Sequence, residues 1–426
     1  MKQIKKNNAL VPKLRFPEFR KKGKWEEKVL DELGQTFGGL NGKSSEDFGF
    51  GKPYITYRQI FNYSRIDLTK CQFVMVSDNE TQNIVQYGDV LFTMSSETSD
   101  EIGYASVLLD FPKNSVYLNS FCFIFRPFKL DVLNPEFSRY LFHSPIYRRA
   151  IARLAQGITR FNISKSLFLS LRLSIPKKPN EQQKIASCLS SLDDLITAQD
   201  KKIEALKKYK KGLMQQLFPA EEETTPKLRF PEFRGKGEWK YLNGDKMFEQ
   251  ISNKNHNSDL PILAITQEHG AIPRDKIDYT VIVTDKSVKS YKIVEVGDFI
   301  ISLRSFQGGI EYSYYVGLCS PAYIILRKKN KFLIDIFFKY YFKTEMFIRL
   351  LNRNIEGIRD GKMVSYKQFS EILIPSTKPD EQQKIASCLS SLDDLITAHS
   401  HKLETLKRHK KGLMQGLFPI NNNINR

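Results

Sequence analysis

The amino-acid sequence predicts an α+β protein: two mixed α/β domains related by pseudo-two-fold symmetry and separated by two long helices that form an intramolecular antiparallel coiled coil. Three repeated blocks carry that expectation. The stretch EQQKIASCLSSLDDLITA occupies 181–198 and returns, letter for letter, at 381–398. PKLRFPEFR at 12–20 returns at 226–234, and KKGLMQQLFP at 210–219 returns as KKGLMQGLFP at 410–419. The sequence between the blocks has diverged. The chain therefore reads as two tandem halves, each with a constant lead-in, a variable middle and a constant end.

The constant ends are expected to be helical. Ile185, Leu189, Leu192, Ile196, Gln199, Ile203, Leu206, Lys210, Leu213 and Leu217 follow alternating steps of four and three. Ile385, Leu389, Leu392, Ile396, His399, Leu403, Leu406, Lys410, Leu413 and Leu417 repeat the pattern. This is a 3.5-residue seam with polar residues at two matching places, as in a coiled coil. Pro179 and Pro379 precede the helices, and Pro219 and Pro419 end them. Each rod should be roughly 55 Å long. The expected organisation is a first domain over 1–180 with its lead-in at 12–20, a helix over 181–219, a second domain over 220–380 with its lead-in at 226–234, a helix over 381–419 and a tail over 420–426. The polar, acidic AEEETTP at 220–226 marks the boundary between halves.

The middles mix strand and helix. Each has a strand opened by Gly-Asp, VQYGDVLFTMSS at 85–96 and VEVGDFIISLRS at 294–305, followed by an apolar run, YASVLLDF or YIILR. One helix is expected over 134–156, with Asn134 as its cap and Pro135 in its first turn, and its counterpart over 333–356. Both run into Gly-Ile and a loop carrying Arg160 or Arg359, then a short strand to Ile175-Pro176 or Ile374-Pro375.

Composition narrows the function. The 426 residues include 66 Lys and Arg against 47 Asp and Glu, a net charge of +19 that points to a polyanion partner. No run approaches the ~20 apolar residues of a membrane span, and the basic N-terminus lacks the apolar core of a secretion signal. The five cysteines have no CxxC spacing, and Cys188 and Cys388 occupy one repeat position on an apolar face. They read as small buried hydrophobes in a reducing cytoplasm.

Catalytic signatures fail one by one. GGLNGKS at 38–44 lacks the first glycine of a phosphate loop, since Phe37 stands at that position. NPEF at 134–137 is similar to the NPPF-type motif of amino-group DNA methyltransferases, but it lacks the second proline, and no GxGxxG loop follows a strand. PDEQQK at 379–384 has the letters of a PD-(D/E)xK nuclease with the wrong spacing, and the first copy reads PNEQQK. The six histidines form no HExxH or Cys/His cluster, so neither a catalytic centre nor a metal site is expected.

What remains is a basic chain with two different globules on matching rods. Two reading heads at a fixed distance suit duplex DNA, whose major groove recurs on one face every ~34 Å. The paired P.EQQKIASCLSSLDDLI and KKGLMQ.LFP helices, the paired PKLRFPEFR segments and the GD strands resemble the specificity subunit of a type I restriction-modification system. The resemblance covers nearly the whole chain. It implies two target recognition domains, each reading half of a gapped, asymmetric double-stranded DNA site. It further implies two modification subunits docked on the constant blocks, which bring S-adenosylmethionine and methylate adenine N6 after base flipping. Two restriction subunits would add ATP- and Mg-dependent translocation and cleavage. No cofactor is expected on this chain itself.

Base-edge contacts need Arg, Lys, Asn, Gln, Ser or Thr on accessible segments. The candidates are expected in loops at matching places: Tyr57, Arg58 and Gln59 against Thr266 and Gln267; Ser95, Ser96 and Thr98 against Arg304, Ser305 and Gln307; Arg160 and Asn162 against Arg359 and Lys362. For docking, Gln182, Lys184, Asp193 and Asp194, with Gln382, Lys384, Asp393 and Asp394, are identical in both copies although the seam does not require them. They are expected on an outer face read by one partner bound twice. A rival reading, a coiled-coil protein scaffold with incidental charge, stays open on sequence alone.

Overall fold

A computed structural model describes residues 10–277, 288–353 and 364–419. The chain divides into two compact units, one of residues 1–199 with 402–426 and one of residues 200–401. Each long helix therefore contributes its two ends to different units.

In the first unit, β1 (Glu26–Val29) leads through a one-turn helix, α1 (Leu30–Leu33), into β2 (Gly34–Gly38). There follow β3 (Phe48–Ile55), α2 (Tyr57–Asn62), β4 (Gln72–Val74), β5 (Val90–Thr93), β6 (Ser95–Ser96), β7 (Ala105–Val107), β8 (Tyr117–Leu118) and β9 (Cys122–Pro127). The globule closes with α3 (Pro135–Leu141), α4 (Pro145–Ala152), β10 (Phe161–Asn162), α5 (Lys165–Leu169) and β11 (Arg172–Ile175), before α6 (Pro179–Leu217). The central sheet has the order β2-β9-β5-β7 and is antiparallel. A smaller sheet has the order β4-β3-β8, and β1 pairs with β11, joining the start of the globule to its end.

The second unit repeats this frame. β12 (Lys240–Asn243), α7 (Gly244–Met247) and β13 (Phe248–Ile251) correspond to β1, α1 and β2. Then come β14 (Leu263–Thr266), β15 (Gly270–Pro273), β16 (Lys292–Val294), β17 (Phe299–Ile301), α8 (Ser305–Gly308), β18 (Glu311–Tyr312), β19 (Gly317–Cys319) and β20 (Ile324–Lys328). α9 (Asp335–Tyr341), α10 (Glu345–Arg353), α11 (Tyr366–Glu371), β21 (Leu373–Ser376) and α12 (Pro379–Leu417) complete it. The order β13-β20-β17-β18 reproduces the central sheet, and β12 pairs with β21.

The Gly-Asp pairs have a structural task. Gly88 and Gly297 sit at φ +87° and +96°, turning the chain into β5 and β17. The carboxylates that follow are buried, and each takes a two-pronged bond from an arginine on the adjacent strand. Arg126 reaches Asp89 at 2.7 and 2.8 Å, and Arg327 reaches Asp298 at 2.8 Å on both oxygens. Backbone N–H groups of Gln86 and Glu295 complete the two sites.

Three expectations change. The helix expected over 134–156 is two helices, because Ser144 caps Tyr147 N and Pro145 cannot continue the preceding ladder. Its counterpart breaks in the same place without a proline, as Thr344 Oγ1 accepts from Phe347 N. The strand expected over 294–305 ends at Ile301, and Ser305 opens α8. Of the run YIILR, residues 324–327 lie in β20, the counterpart of β9 rather than of YASVLLDF, of which only Ala105–Val107 is strand.

The helix ends lie where the seam predicts burial, against both the partner helix and the globule. In the first unit Ile185, Ala186 and Leu189 share a core with Trp25, Phe137, Leu413, Leu417 and Phe418. The two helical portions there run antiparallel, since residues near 185 meet those near 417 and Asp193 meets Lys410. Phe418 is wedged between Trp25 (centroids 6.0 Å) and Phe137 (5.7 Å). In the second unit Phe218 packs in the same way against Phe337 and Tyr341 at 5.1 and 5.6 Å. The repeated LFP ending is thus a core plug for each globule. Among the described residues no helix is long and apolar enough to cross a membrane.

Candidate nucleic-acid interface

In the first unit the structure joins three candidate segments that are far apart in sequence. β6 pairs with β10, placing Ser96 opposite Phe161 and Ser95 opposite Asn162. Tyr57 Oη donates to Ser95 O at 2.7 Å, bringing the first turn of α2 to the same corner. Tyr57, Arg58 and Gln59 are helical rather than looped, because Thr56 caps the helix by accepting from Gln59 N. Gln59 turns inward, where its Oε1 accepts from Asp67 N at 2.7 Å, so it supports the fold instead of facing a ligand. Ser95 and Ser96 are buried strand residues. The accessible chemistry belongs to Arg58, Thr98, Arg160 and Asn162, which are exposed. The Arg160 guanidinium lies 5.4 Å from the ring of Phe121, itself half exposed.

Among its described residues the second unit builds its corner differently. The β14–β15 turn and the β17–α8 turn face each other across a cleft of ≈ 960 Å³ that includes Thr266, Gln267, His269, Arg274, Arg304 and Tyr323. Gln267 Nε2 donates to Arg304 O at 3.3 Å, tying two predicted segments together. The Thr266 hydroxyl is spent inside the turn, accepting from His269 N and donating to Gly270 O. Ser305 is buried, and its hydroxyl accepts from Ser302 N. Gln267, Arg304 and Gln307 present exposed side chains. Arg359 and Lys362 lie outside the described residues. His269 and Arg274 were missed by sequence reasoning, because only the β14–β15 hairpin brings them beside Arg304.

Exposed arginines and amides at both corners can donate to phosphates and to base edges, the chemistry that duplex readout uses. Among the described residues no group of His, Cys, Asp and Glu could hold a metal ion.

The eight residues expected on an outer face divide. Gln182 and Gln382 are buried: Gln182 Oε1 accepts from Asn134 N and its Nε2 donates to Val132 O, while Gln382 bonds Ile334 N and Thr377 O in the same way. Asp193 accepts from Arg139 (3.0 Å), Tyr140 Oη (2.9 Å) and Lys410 (2.5 Å). Asp393 accepts from Lys339, Tyr340 Oη and Lys210 at 3.5, 2.7 and 2.5 Å. Burial pushes the Asp393 carboxyl up, but the Lys210 and Tyr340 bonds outweigh it and hold it below the ordinary carboxylate value. Lys184 and Lys384 are exposed and reach the lead-in segments through Glu18 (3.6 Å) and Glu232 (3.0 Å). Asp194 and Asp394 alone are exposed carboxylates of the set. The placement of Gln182, Asp193, Gln382 and Asp393 on an outer face is therefore corrected: they bind each helix to its own globule.

The lead-in segments are fixed by the same repeated block. Arg15 makes a two-pronged pair with Glu181 at 2.7 and 2.8 Å, and Arg229 with Glu381 at 2.6 and 2.8 Å. All four side chains are largely buried, so removing one would strand its partner.

The frame matches known proteins along its length. The family model for the type I restriction modification DNA specificity domain matches twice, at residues 22–208 and 214–408. A provisionally named MjaX type I restriction enzyme specificity subunit of Methanocaldococcus jannaschii is 28% identical over 415 residues, 92% of each chain. The MjaVIII specificity subunit of the same organism is 25% identical over 304 residues, covering 66% of this chain and 69% of its own. Among solved structures, the S subunit of a type I system from M. genitalium aligns with a TM-score of 0.54 at 16% identity, covering 96% of this chain and 99% of its own. A chain from a study of type I system assembly and conformational transition aligns at 0.56 and 15% identity, covering 93% and 98%. These two likenesses bear on the fold. With both halves matched by the same domain model, the chain belongs to the type I restriction-modification DNA specificity family.

Proposed function

We propose that this chain is the non-catalytic, DNA-reading subunit of a type I restriction-modification complex, each unit reading one half of a gapped, asymmetric double-stranded site. The observation that carries this reading is the contrast between a duplicated frame and unlike corners. The same Asp–Arg, Glu–Arg and Asp–Lys pairs recur in both units. On that frame, one corner is a β6–β10 strand pair and the other a cleft between a hairpin turn and α8. Different surfaces on one support suit two different half-sites.

In this reading two modification subunits dock on the constant blocks, with Lys184, Asp194, Lys384 and Asp394 as the accessible docking candidates. They supply S-adenosylmethionine and methylate adenine, and two restriction subunits supply ATP-driven translocation and cleavage. The chain itself binds no cofactor and works in the cytoplasm, beside the DNA. Co-expression with its modification partner, followed by single-molecule sequencing of methylated adenines, tests this. A two-part motif with a fixed gap is the expected result; methylation without such a motif would sink the proposal.

A further inference from the structure

The repeated KKGLMQ segment places a lysine and a glutamine one helical turn apart, Lys211 with Gln215 and Lys411 with Gln415. In the second unit this pair holds a carboxylate. Glu345, the first residue of α10, accepts from Lys211 at 2.6 Å and from Gln215 at 3.3 Å. The pairing with Lys211 lowers the Glu345 pKa from its ordinary value.

The first unit keeps the clamp and lacks the carboxylate. The residue in the place of Glu345 is Pro145, the first residue of α4. Lys411, Gln415 and Pro145 there line an open groove of ≈ 590 Å³. Its other cations are Arg139 and Lys410, which share Asp193; Lys407, which pairs with Glu404 at 3.0 Å; and Arg148. Arg148 replaces Ile348; its guanidinium donates to Gly103 O and Asp100 O, stacks 4.4 Å over Tyr104 and, among the described residues, pairs with no carboxylate. Phe61, Tyr104 and Met414 add apolar surface between the charges.

We infer that this groove of the first unit is a docking site for an acidic segment of a partner protein, whose carboxylate enters the Lys411–Gln415 clamp. The duplicate clamp is closed by a Glu carboxylate, and the open copy offers the same donors beside one added cation, Arg148. Only one of the two units can accept such a segment. The site thus makes a nearly symmetric frame asymmetric toward its partners.

Fluorescence anisotropy of the full chain with a labelled poly-glutamate peptide tests the inference, with Lys211→Glu as a control of identical charge change. Lys411→Glu and Pro145→Glu, the latter supplying the missing internal carboxylate, should each weaken binding about tenfold or more, while Lys211→Glu changes it less than about twofold. Thermal melts should show all three folded. Equal weakening by all three variants, or none by Pro145→Glu, overturns the inference. So does a tenfold loss confined to a short DNA duplex, which would make the groove a phosphate site. None of these outcomes depends on which DNA sequence the chain reads.

Discussion

Lys410 of the second long helix donates to Asp193 of the first, and the exchanged pair, Lys210 with Asp393, recurs in the second unit. Each carboxylate also takes a tyrosine hydroxyl and a cation from the globule's own helix, α3 or α9. Three elements are thereby pinned at one point: both long helices and the recognition globule. Lysine at a coiled-coil seam position weakens packing unless it finds a partner, and here the partner is built into the repeat.

Asp193→Asn should therefore destabilise the first unit by about 2 kcal/mol, because Arg139 and Lys410 lose their shared counter-charge in a mostly shielded place. Asp194→Lys, one residue on and exposed, should shift stability by less than about 0.5 kcal/mol. Chemical denaturation of both variants checks the contrast. Equal effects would show that the knot contributes nothing.

Phe418→Ala should cost the first unit about 3–5 kcal/mol, since it removes a fully enclosed ring from between Trp25 and Phe137. Phe218→Ala should damage the second unit similarly. Limited proteolysis after each substitution should cut the globule that has lost its plug and spare the other.

A pH effect should fall on the first unit. Burial drives the His143 pKa down to about 4, and its neutral Nε2–H donates to Ala105 O at 2.7 Å. The unfolded imidazole takes up its proton near pH 6.5, so stability is full above that value and falls as pH drops toward 4. At pH 5 the loss should reach up to about 2 kcal/mol, and His143→Gln should flatten it. The second unit has Lys343 in this place, ion-paired with Glu311 at 2.6 Å, so its unfolding should lack this step.

DNA readout should separate exposed from inward-facing candidates. Arg304→Ala should weaken binding to the methylated motif's own duplex by about 1–3 kcal/mol and to random duplex by much less. Gln59→Ala should lower stability and leave base preference unchanged. Binding should also fall steeply with salt as phosphate counterions are released, whereas a protein scaffold with incidental charge would bind DNA weakly and without a salt slope.

The chain's repeats determined much of this protein without coordinates. Heptad spacing located both long helices, because a 3.5-residue apolar period is a local pattern that a helix must bury. The duplication located two equivalent globules, and Asn134 with Pro135 located the start of α3. The break at Ser144 and the helical turn at Ser305 were hidden, since both depend on which hydroxyl finds a free N–H. Identity at Gln182 and Asp193 suggested an outer face, yet only tertiary structure could show which carbonyls, tyrosines and lysines they meet. Their partners lie about 50 residues away in the globule and, for Asp193, about 200 residues away on the other helix. Local periodicity is written in adjacent letters; the destination of a polar side chain is set by which distant elements the core brings beside it.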